Sequence, residues 1–331
     1  MNGDWVRMDF GLGTFAGCDG QAFIGVVVDD RMISLAEATE KLGRREIAGA
    51  AVADLLHDDD RHFDEIARVA EEAVIGGLLE TAEPLDTCRP LPPLGRMGKM
   101  LYAGANYSDH VRNMRRTFTP ALDPAEAARP VASLRPYMFG KVSSPTGAYD
   151  DILLPPGLDR IDWEGELMVV IGAPGRHIRA EHARRHIAGY MTTNDVSCRD
   201  LTWRDDRPTL RSDFLAGKSF DSFAPMGPYV TPKRFVFDHS DLFIRTWVNG
   251  DLKQDGNTRD MTFGVEELIE YASRMMTLLP GDVIATGSPA GTGQERLEFL
   301  RPNDLVEVEV QGCGRMRNTA VAEVERIADG K

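Results

Sequence analysis

The sequence is poor in cysteine and has no long apolar run. Its four cysteines among 331 residues lie far apart and form no Cys-x-x-Cys pair, so the pattern indicates neither a structural zinc site nor a disulfide framework. No run approaches the roughly 20 apolar residues that a membrane-spanning helix needs. Charges at Asp4, Arg7 and Asp9 stand where a secretion signal requires an apolar segment. We therefore expect a reducing, cytoplasmic location and no membrane partner.

An excess of positive charge is also missing. The chain has 38 Lys and Arg against 52 Asp and Glu, which gives a net charge of −14. Such a surface repels phosphate backbones, so we expect no nucleic-acid partner. Hydrophobic residues make up 42% of the chain and charged residues 27%, which is the composition of a folded protein rather than a disordered one.

Signature motifs of several enzyme classes are incomplete. Gly217-Lys218-Ser219 resembles the end of a phosphate-binding loop, but Ser212 stands where that loop requires its first glycine. No complete Gly-x-Gly-x-x-Gly turn and no His-Glu-x-x-His motif is present. The sequence therefore gives no support for a nucleotide-hydrolysing, dinucleotide-binding or zinc-protease function.

The first 95 residues have the pattern of a small α+β domain. Two strands are predicted at 5–10 and 22–28. The glycines between them, Gly11, Gly13 and Gly17, are predicted to form turns. Helical spacing of apolar residues predicts helices between Leu35 and about Glu80. Four prolines between positions 84 and 93 then predict a linker. We place an accessory domain at 1–95 and a second domain at 96–331.

After residue 95 short strands alternate with loops rich in glycine and aspartate. Strands are predicted at 98–103, 166–171, 187–193, 242–248, 282–286, 305–310 and 315–323. The last two flank a hairpin connection at 311–314, and helical spacing predicts one helix over 265–275. A polar stretch with three prolines at 115–135 is typical of a lid or a disordered loop. The predicted fold class is α+β and rich in β-structure.

Two glutamates stand at the mouth of an apolar strand. Glu164 and Glu166 are two residues apart, so on an extended chain both point to the same side. Two like charges so placed repel each other and stay ionised only beside a compensating cation. A hard divalent cation with oxygen ligands satisfies that need. The alternative is that this strand end is exposed and both carboxylates are hydrated.

Two further elements carry polar side chains after a predicted strand. Asp195 can supply a third oxygen to the same cation, or it can cap a helix that begins near Ser197. Arg199, just beyond, can bind an anionic group of a substrate. His110 follows a Gly-Asn-Tyr turn, and it is either a general base or an ordinary surface or core histidine.

The chain from about residue 97 onwards resembles the fumarylacetoacetate hydrolase family. The resemblance rests on nine short motifs in family order: Gly104-x-Asn106-Tyr107-x-x-His110, Phe139-x-Lys141, Asp162-x-Glu164-x-Glu166, Asn194-Asp195-Val196-Ser197-x-Arg199-Asp200, Lys218-Ser219-Phe220-Asp221, Asn249-Gly250, Gln254-Asp255-Gly256-Asn257-Thr258, Leu279-Pro280-Gly281-Asp282-x-Ile284-x-Thr286-Gly287-Ser288-Pro289-x-Gly291, and Gly312-x-Gly314-x-x-x-Asn318.

The resemblance implies a catalytic domain of rolled, mixed β-sheets at 96–331, in a protein that is usually a homodimer. It implies Mg²⁺, or Mn²⁺ or Ca²⁺, held by Glu164, Glu166 and Asp195, and a small 2-oxo acid or 1,3-dicarbonyl substrate. His110 and Lys218 are the implied catalytic residues, for proton transfer and for stabilising an enolate. The implied substrate-binding residues are Tyr107, Lys141, Arg199, Thr286, Gly287 and Ser288.

Two positions depart from the family pattern. Many smaller members carry glutamate three residues after the histidine, where this chain has Asn113, and family hydrolases carry glutamine at the position of Thr202. Asparagine accepts no proton at neutral pH, so either another acid, such as Asp109 or one from the predicted lid, pairs with His110, or the reaction needs only a proton shuttle.

The resemblance therefore predicts a metal-dependent hydrolase or isomerase of an acylpyruvate-like intermediate of aromatic-compound catabolism. Within the family, the departure at Asn113 favours 2-hydroxyhepta-2,4-diene-1,7-dioate isomerase or oxaloacetate decarboxylase as the alternative. A non-catalytic binding protein of the same fold is the alternative from another class.

Overall fold

The computed structural model describes residues 9–44, 47, 51–55, 59–118, 135–207, 209–210 and 212–324. Its α-helices are α1 (Leu35–Lys41), α2 (Val52–Leu55), α3 (Asp59–Ile75), α4 (Ser108–Phe118), α5 (Ala180–Ala183), α6 (Arg199–Thr202), α7 (Phe214–Lys218), α8 (Val265–Met275) and α9 (Gly293–Arg296). Turns of 3-10 helix lie at Leu78–Glu80, Leu85–Thr87, Arg184–His186 and Thr258–Asp260.

The strands are β1 (Gly11–Ala16), β2 (Ala22–Val28), β3 (Arg31–Ser34), β4 (Glu83–Pro84), β5 (Met100–Gly104), β6 (Tyr137–Gly140), β7 (Pro145–Thr146), β8 (Ile152–Leu154), β9 (Ile161–Asp162), β10 (Gly165–Ile171), β11 (Ile187–Asn194), β12 (Ser197–Cys198), β13 (Ala224–Pro232), β14 (Phe243–Val248), β15 (Asp251–Asn257), β16 (Val283–Ala285), β17 (Leu305–Val310) and β18 (Arg315–Ala322). No helix among the described residues is long and apolar enough to cross a membrane.

The described strands form one large mixed sheet and two smaller sheets. The large sheet has the order β4-β3-β2-β1-β13-β11-β10-β16-β5-β6, with β7 beside β13. A five-stranded sheet follows the order β15-β14-β17-β18-β8, and β12 pairs with β9. Most neighbours are antiparallel, but β5 runs parallel to β16, β7 to β13 and β8 to β18. This confirms the prediction of a β-rich α+β fold with mixed sheets.

Strand β10 is the centre of the core, because both of its faces are apolar. Leu167 and Val169 pack into one hydrophobic cluster, and Met168 and Val170 pack into another on the opposite face. All four side chains are fully buried, and each such burial contributes about 1.5–3 kcal/mol to folding. The strand is therefore held firmly in place, and so is the end at which the two glutamates stand.

The first strand lies later in the chain than the sequence predicts. Residues 9–10 precede β1, residues 1–8 lie outside the described chain, and Gly11 and Gly13 belong to β1 itself. A Cβ atom on Gly11 would lie 2.3 Å from the Tyr229 ring, and one on Gly13 would lie 2.8 Å from the Pro228 carbonyl oxygen. The prediction of turns at these two glycines is thus wrong, because they allow β1 to approach β13 closely.

The other predicted elements agree with the structure where it describes them. The strands predicted after residue 95 correspond to β5, β10, β11, β14, β16, β17 and β18, and the predicted helix to α8. Helices α1 to α3 and the 3-10 turn at Leu78–Glu80 lie in the stretch from 35 to 80 that was predicted to be helical. Of the predicted lid, 115–118 belong to α4, and 119–134 lie outside the described residues. The domain boundary near residue 95 stays a prediction; β1 joins the large sheet beside β13, at Leu12 opposite Val230.

Candidate active site

Two adjacent strands bring three carboxylates together. Strands β10 and β11 are antiparallel, with Glu166 opposite Thr193, so the first residues of β10 lie beside the last residues of β11. Glu164, Glu166 and Asp195 each offer an oxygen, and these oxygens lie within 4.8 Å of one another. The three residues are only 6, 1 and 2% exposed. The alternative of exposed, hydrated glutamates is therefore wrong.

The side chain of Asp195 points at two lysines and not at a helix. Its Oδ1 accepts a hydrogen bond from Lys141 Nζ at 2.5 Å, and its Oδ2 accepts one from Lys218 Nζ at 2.5 Å. Helix α6 begins at Arg199, and its N-cap residue Cys198 makes no side-chain capping bond. The alternative of a helix cap at Asp195 is therefore wrong.

The two lysines differ in their electrostatic surroundings. Lys218 Nζ also donates to Glu164 Oε2 at 2.7 Å. Burial opposes its charge, but Asp195 and Glu164 outweigh burial and raise the pKa of Lys218 above its usual value. For Lys141, burial dominates and lowers the pKa of the ammonium. Lys218 is thus the more securely charged of the two.

Glu166 is the carboxylate of the cluster that neither lysine pairs with. Its Oε2 accepts a hydrogen bond from the Gly287 amide at 2.8 Å, and no ion pair to it is found in the described part of the chain. Burial, together with the charges of Asp195 and Glu164, raises the pKa of Glu166 well above its ordinary value. An oxygen-only donor set in which one buried carboxylate has no cationic partner is the chemistry that fits a hard divalent cation.

Arg199 and Glu164 form a buried ion pair at the edge of this cluster. Arg199 Nη2 donates to Glu164 Oε1, and its Nε donates to Asp162 Oδ2 at 2.8 Å. Burial opposes ionisation of Glu164, but Lys218 and Arg199 prevail and hold its pKa well below the usual range. The guanidinium thus lies next to the carboxylate cluster, and its binding of an anionic substrate group stays a prediction.

His110 has an acidic partner that the sequence did not reveal. Its Nδ1 lies 2.5 Å from Glu295 Oε1, and Glu295 Oε2 accepts a hydrogen bond from Asn113 Nδ2 at 2.8 Å. Burial opposes the charge of Glu295, but the bonds from His110 and Asn113 lower the pKa of its carboxyl below the ordinary value. Asp109 instead accepts a hydrogen bond from the His110 backbone amide at 2.7 Å. The prediction of Asp109 as a replacement acid is therefore wrong.

Thr202 has a packing role in the structure. Its Oγ1 donates to the Cys198 carbonyl at 2.8 Å. A Cβ atom on Gly217 would lie 2.3 Å from Thr202 Oγ1, so α6 and α7 are in close contact at this point. Because α7 ends at Lys218, this contact helps to set the position of the lysine.

The remaining predicted substrate-binding residues surround the start of β10. Tyr107 is fully buried. Thr286 Oγ1 donates to the Leu167 carbonyl at 3.0 Å, and Ser288 Oγ donates to the Gly165 carbonyl at 3.2 Å. Both hydroxyls are thus engaged with the backbone of β10, and their contact with a substrate stays a prediction.

Comparison with known proteins agrees with this geometry. The family described as fumarylacetoacetate (FAA) hydrolase C-terminal matches residues 99–321. The mitochondrial oxaloacetate tautomerase FAHD2B of Bos taurus is 41% identical over 234 residues, which are 70% of this chain and 69% of the relative.

Two solved structures are similar over nearly the whole chain. One is a fumarylacetoacetate hydrolase from psychrophilic Exiguobacterium antarcticum, with a TM-score of 0.69, 30% identity, and coverage of 95% of this chain and 100% of the other. The second, a probable 2-hydroxyhepta-2,4-diene-1,7-dioate isomerase from Mycobacterium abscessus, has a TM-score of 0.69, 27% identity, and coverage of 96 and 100%. The chain therefore belongs to the fumarylacetoacetate hydrolase family and is an enzyme of that family.

Proposed function

We propose that the protein is a divalent-metal-dependent enzyme that moves a proton on a small 2-oxo acid, with keto–enol tautomerisation of oxaloacetate as its preferred reaction. The observation that supports this most strongly is the buried pair His110–Glu295 beside three clustered carboxylates. A proton-transfer group and an oxygen-only cation site are the two parts that enolisation requires. The tautomerase name of the relative from Bos taurus agrees with this choice.

The cation is held, in this proposal, by Glu164, Glu166 and Asp195. When bound, a divalent ion polarises a carbonyl and stabilises the charge of an enolate. The resemblance implies Mg²⁺, with Mn²⁺ or Ca²⁺ as substitutes, and the all-oxygen donor set is compatible with each of them.

The residues of the chain carry out the proton transfer. The Glu295 carboxylate accepts the Nδ1 hydrogen of His110, which leaves the second ring nitrogen free to act as a base. His110 then removes a proton from the carbon between the carbonyl groups and returns it to oxygen. The Lys218 ammonium adds a fixed positive charge where the enolate charge develops, and Arg199 holds the substrate carboxylate.

Hydrolysis of a C–C bond in an acylpyruvate is the second candidate. The absence of an acid at residue 113 argued against water activation, but Glu295 supplies that acid to His110 from α9. The same proton transfer serves the isomerisation of 2-hydroxyhepta-2,4-diene-1,7-dioate or the decarboxylation of oxaloacetate. A non-catalytic binding protein is the least favoured alternative, because it has no need of His110–Glu295 beside the carboxylates.

The two leading reactions separate in one assay. The purified protein with Mg²⁺ is given enol oxaloacetate, whose ultraviolet absorbance decays on ketonisation, and acetylpyruvate, whose hydrolysis releases pyruvate and acetate. We expect the larger kcat/KM for oxaloacetate. Faster cleavage of acetylpyruvate would select the hydrolase, and no acceleration of either reaction would contradict the proposed function.

Changing Asn113 to Glu should slow the enzyme rather than speed it up. Asn113 donates its amide to Glu295, and a glutamate there replaces that donor by a second negative charge. Loss of a hydrogen bond to a charged group costs about 1.5–3 kcal/mol, so we expect kcat to fall by roughly tenfold or more. Thr117→Glu, one turn further along α4, is the matched control. A faster Asn113→Glu variant would show that Glu295 is not the working acid.

Binding of Mg²⁺ should release a proton. Because the pKa of Glu166 is raised, its carboxyl keeps a proton at pH values at which an ordinary glutamate is ionised, and the cation must displace that proton. Below that pKa, the Mg²⁺ affinity should fall about tenfold for each unit of decreasing pH. Calorimetric titration in two buffers of different ionisation enthalpy counts the protons released. A binding enthalpy that is the same in both buffers, with an affinity independent of pH, would contradict this assignment.

The remaining expectations are part of the same proposal. We propose a homodimer, a cytoplasmic location and a role in aromatic-compound catabolism, and the support for them is the family resemblance and the composition. The relative from Bos taurus is named as a mitochondrial protein.

A further inference from the structure

The first residue of the Asp162-x-Glu164-x-Glu166 motif contacts both Arg199 and the first residues of α9. Asp162 is fully buried, and its carboxylate accepts hydrogen bonds from two parts of the chain. Arg199 Nε donates to Asp162 Oδ2 at 2.8 Å, and Arg199 Nη2 forms an ion pair with the same oxygen at 2.7 Å. The backbone amides of Gly293 and Gln294 donate at 2.5 and 2.9 Å. One carboxylate thus joins the arginine of the site to the first residues of α9.

Helix α9 needs this external anchor. It has four residues, and its N-cap residue Thr292 makes no side-chain capping bond, so few interactions within the helix hold it. Asp162, 131 residues away in sequence, supplies the acceptor that an N-cap residue would normally provide. A Cβ atom on Gly293 would lie 2.6 Å from Asp162 Oδ1, so this close approach depends on glycine.

The Asp162 carboxylate connects two groups of the site, Arg199 and the helix α9 that carries Glu295. Glu295, which holds His110, is the third residue of α9. Arg199, the other group bonded to Asp162, also donates to Glu164. Any movement of the Asp162 carboxylate therefore changes the position of Arg199 and of the His110–Glu295 pair together.

We propose that Asp162 is a positioning residue that fixes Arg199 and the His110–Glu295 pair in one arrangement. The proposal rests on the proposed function in so far as these groups bind and convert the substrate. Asp162 itself makes no contact with the reacting atoms and acts through the two groups that it holds.

The test is Asp162→Asn, which keeps the shape but replaces one accepting oxygen by a donor that faces other donors. A displacement of about 1 Å can cost 10²-fold in rate, so we expect kcat to fall by about 10- to 100-fold and KM for oxaloacetate to rise. In combination with Glu295→Gln, the variant should lower kcat no further than Glu295→Gln alone. In combination with Arg199→Ala, it should raise KM no further than Arg199→Ala alone.

Asp282→Asn is the matched control. Asp282 is also a buried aspartate, 1% exposed, and it accepts the amides of Lys99 and Leu279, each at 2.7 Å. This variant should lose stability without losing kcat or raising KM. If Asp162→Asn behaves in the same way, or if its losses simply add to those of Glu295→Gln and Arg199→Ala, Asp162 is only a structural residue and the proposal is overturned.

Hydrogen exchange without substrate separates this proposal from the proposed function. The segment 290–298 should exchange faster in Asp162→Asn than in Asp282→Asn, whether or not oxaloacetate is a substrate. Unchanged exchange in that segment overturns the proposal, whereas an inactive wild-type enzyme overturns only the proposed function. If circular dichroism shows that Asp162→Asn is unfolded, Asp162→Glu, which keeps the charge, is compared in the same experiments.

Discussion

Replacing Glu295 by Gln should lower kcat by about 10²- to 10⁴-fold, which corresponds to about 2.7–5.5 kcal/mol of activation free energy. The glutamine keeps the shape but cannot stabilise the positive charge that His110 acquires when it takes a proton. Because Glu295 is bonded to His110 and Asn113 and not to the predicted cation ligands, Mg²⁺ affinity should stay unchanged.

Steady-state kinetics and calorimetry on the purified variant check both statements. Glu298→Gln is the matched control, since Glu298 lies three residues further on and pairs with Lys253 at 2.8 Å. It should keep wild-type kcat. A Glu295→Gln variant that retains more than about half of the wild-type kcat would show that His110 works without this carboxylate.

Replacing Glu166 by Ala should abolish metal binding and activity together. The substitution removes one of three ligand oxygens that lie within 4.8 Å of one another, and two remaining carboxylates are already paired with Lys218. We expect no measurable heat of Mg²⁺ binding and a loss of activity to background.

The control for this variant is Glu309→Gln, which removes a partly buried glutamate of β17 outside the site. It should bind Mg²⁺ as the wild type does. Unchanged Mg²⁺ affinity in Glu166→Ala would mean that the cation, if one is needed, is held elsewhere.

The carboxylate cluster could be predicted because its information is local. Glu164 and Glu166 share one side of a strand by simple alternation, and the apolar run after them marks that strand as buried on both faces. Asp195 directly follows the next strand of the same large sheet, so an antiparallel pairing of the two strands is enough to bring the three side chains together.

The partner of His110 could not be predicted, because the contact spans 185 residues. Asn113 indicated that an acid was missing from α4, but no local pattern pointed to Glu295, which lies four residues after the end of the motif at Gly291. Glu295 could have been proposed as the partner of His110 from its position close to a family motif that had already been assigned to the site.

Strand β13 was missed for a different reason. Its prolines at 225, 228 and 232 lack the amide donors of ordinary strand residues, so its sequence resembles a loop. Gly11 and Gly13 were interpreted as turns, whereas their role is to let β1 approach Tyr229 and Pro228. Both errors concern contacts between distant segments, which composition and periodicity do not contain.

The most direct test of the central claim is the rate of oxaloacetate tautomerisation as metal-free protein is titrated with Mg²⁺. We expect no enzymatic rate in excess EDTA and a rate that rises in proportion to Mg²⁺ occupancy, measured in parallel by calorimetry, up to one ion per chain. A full rate in the metal-free protein, or a rate that does not follow occupancy, would contradict it.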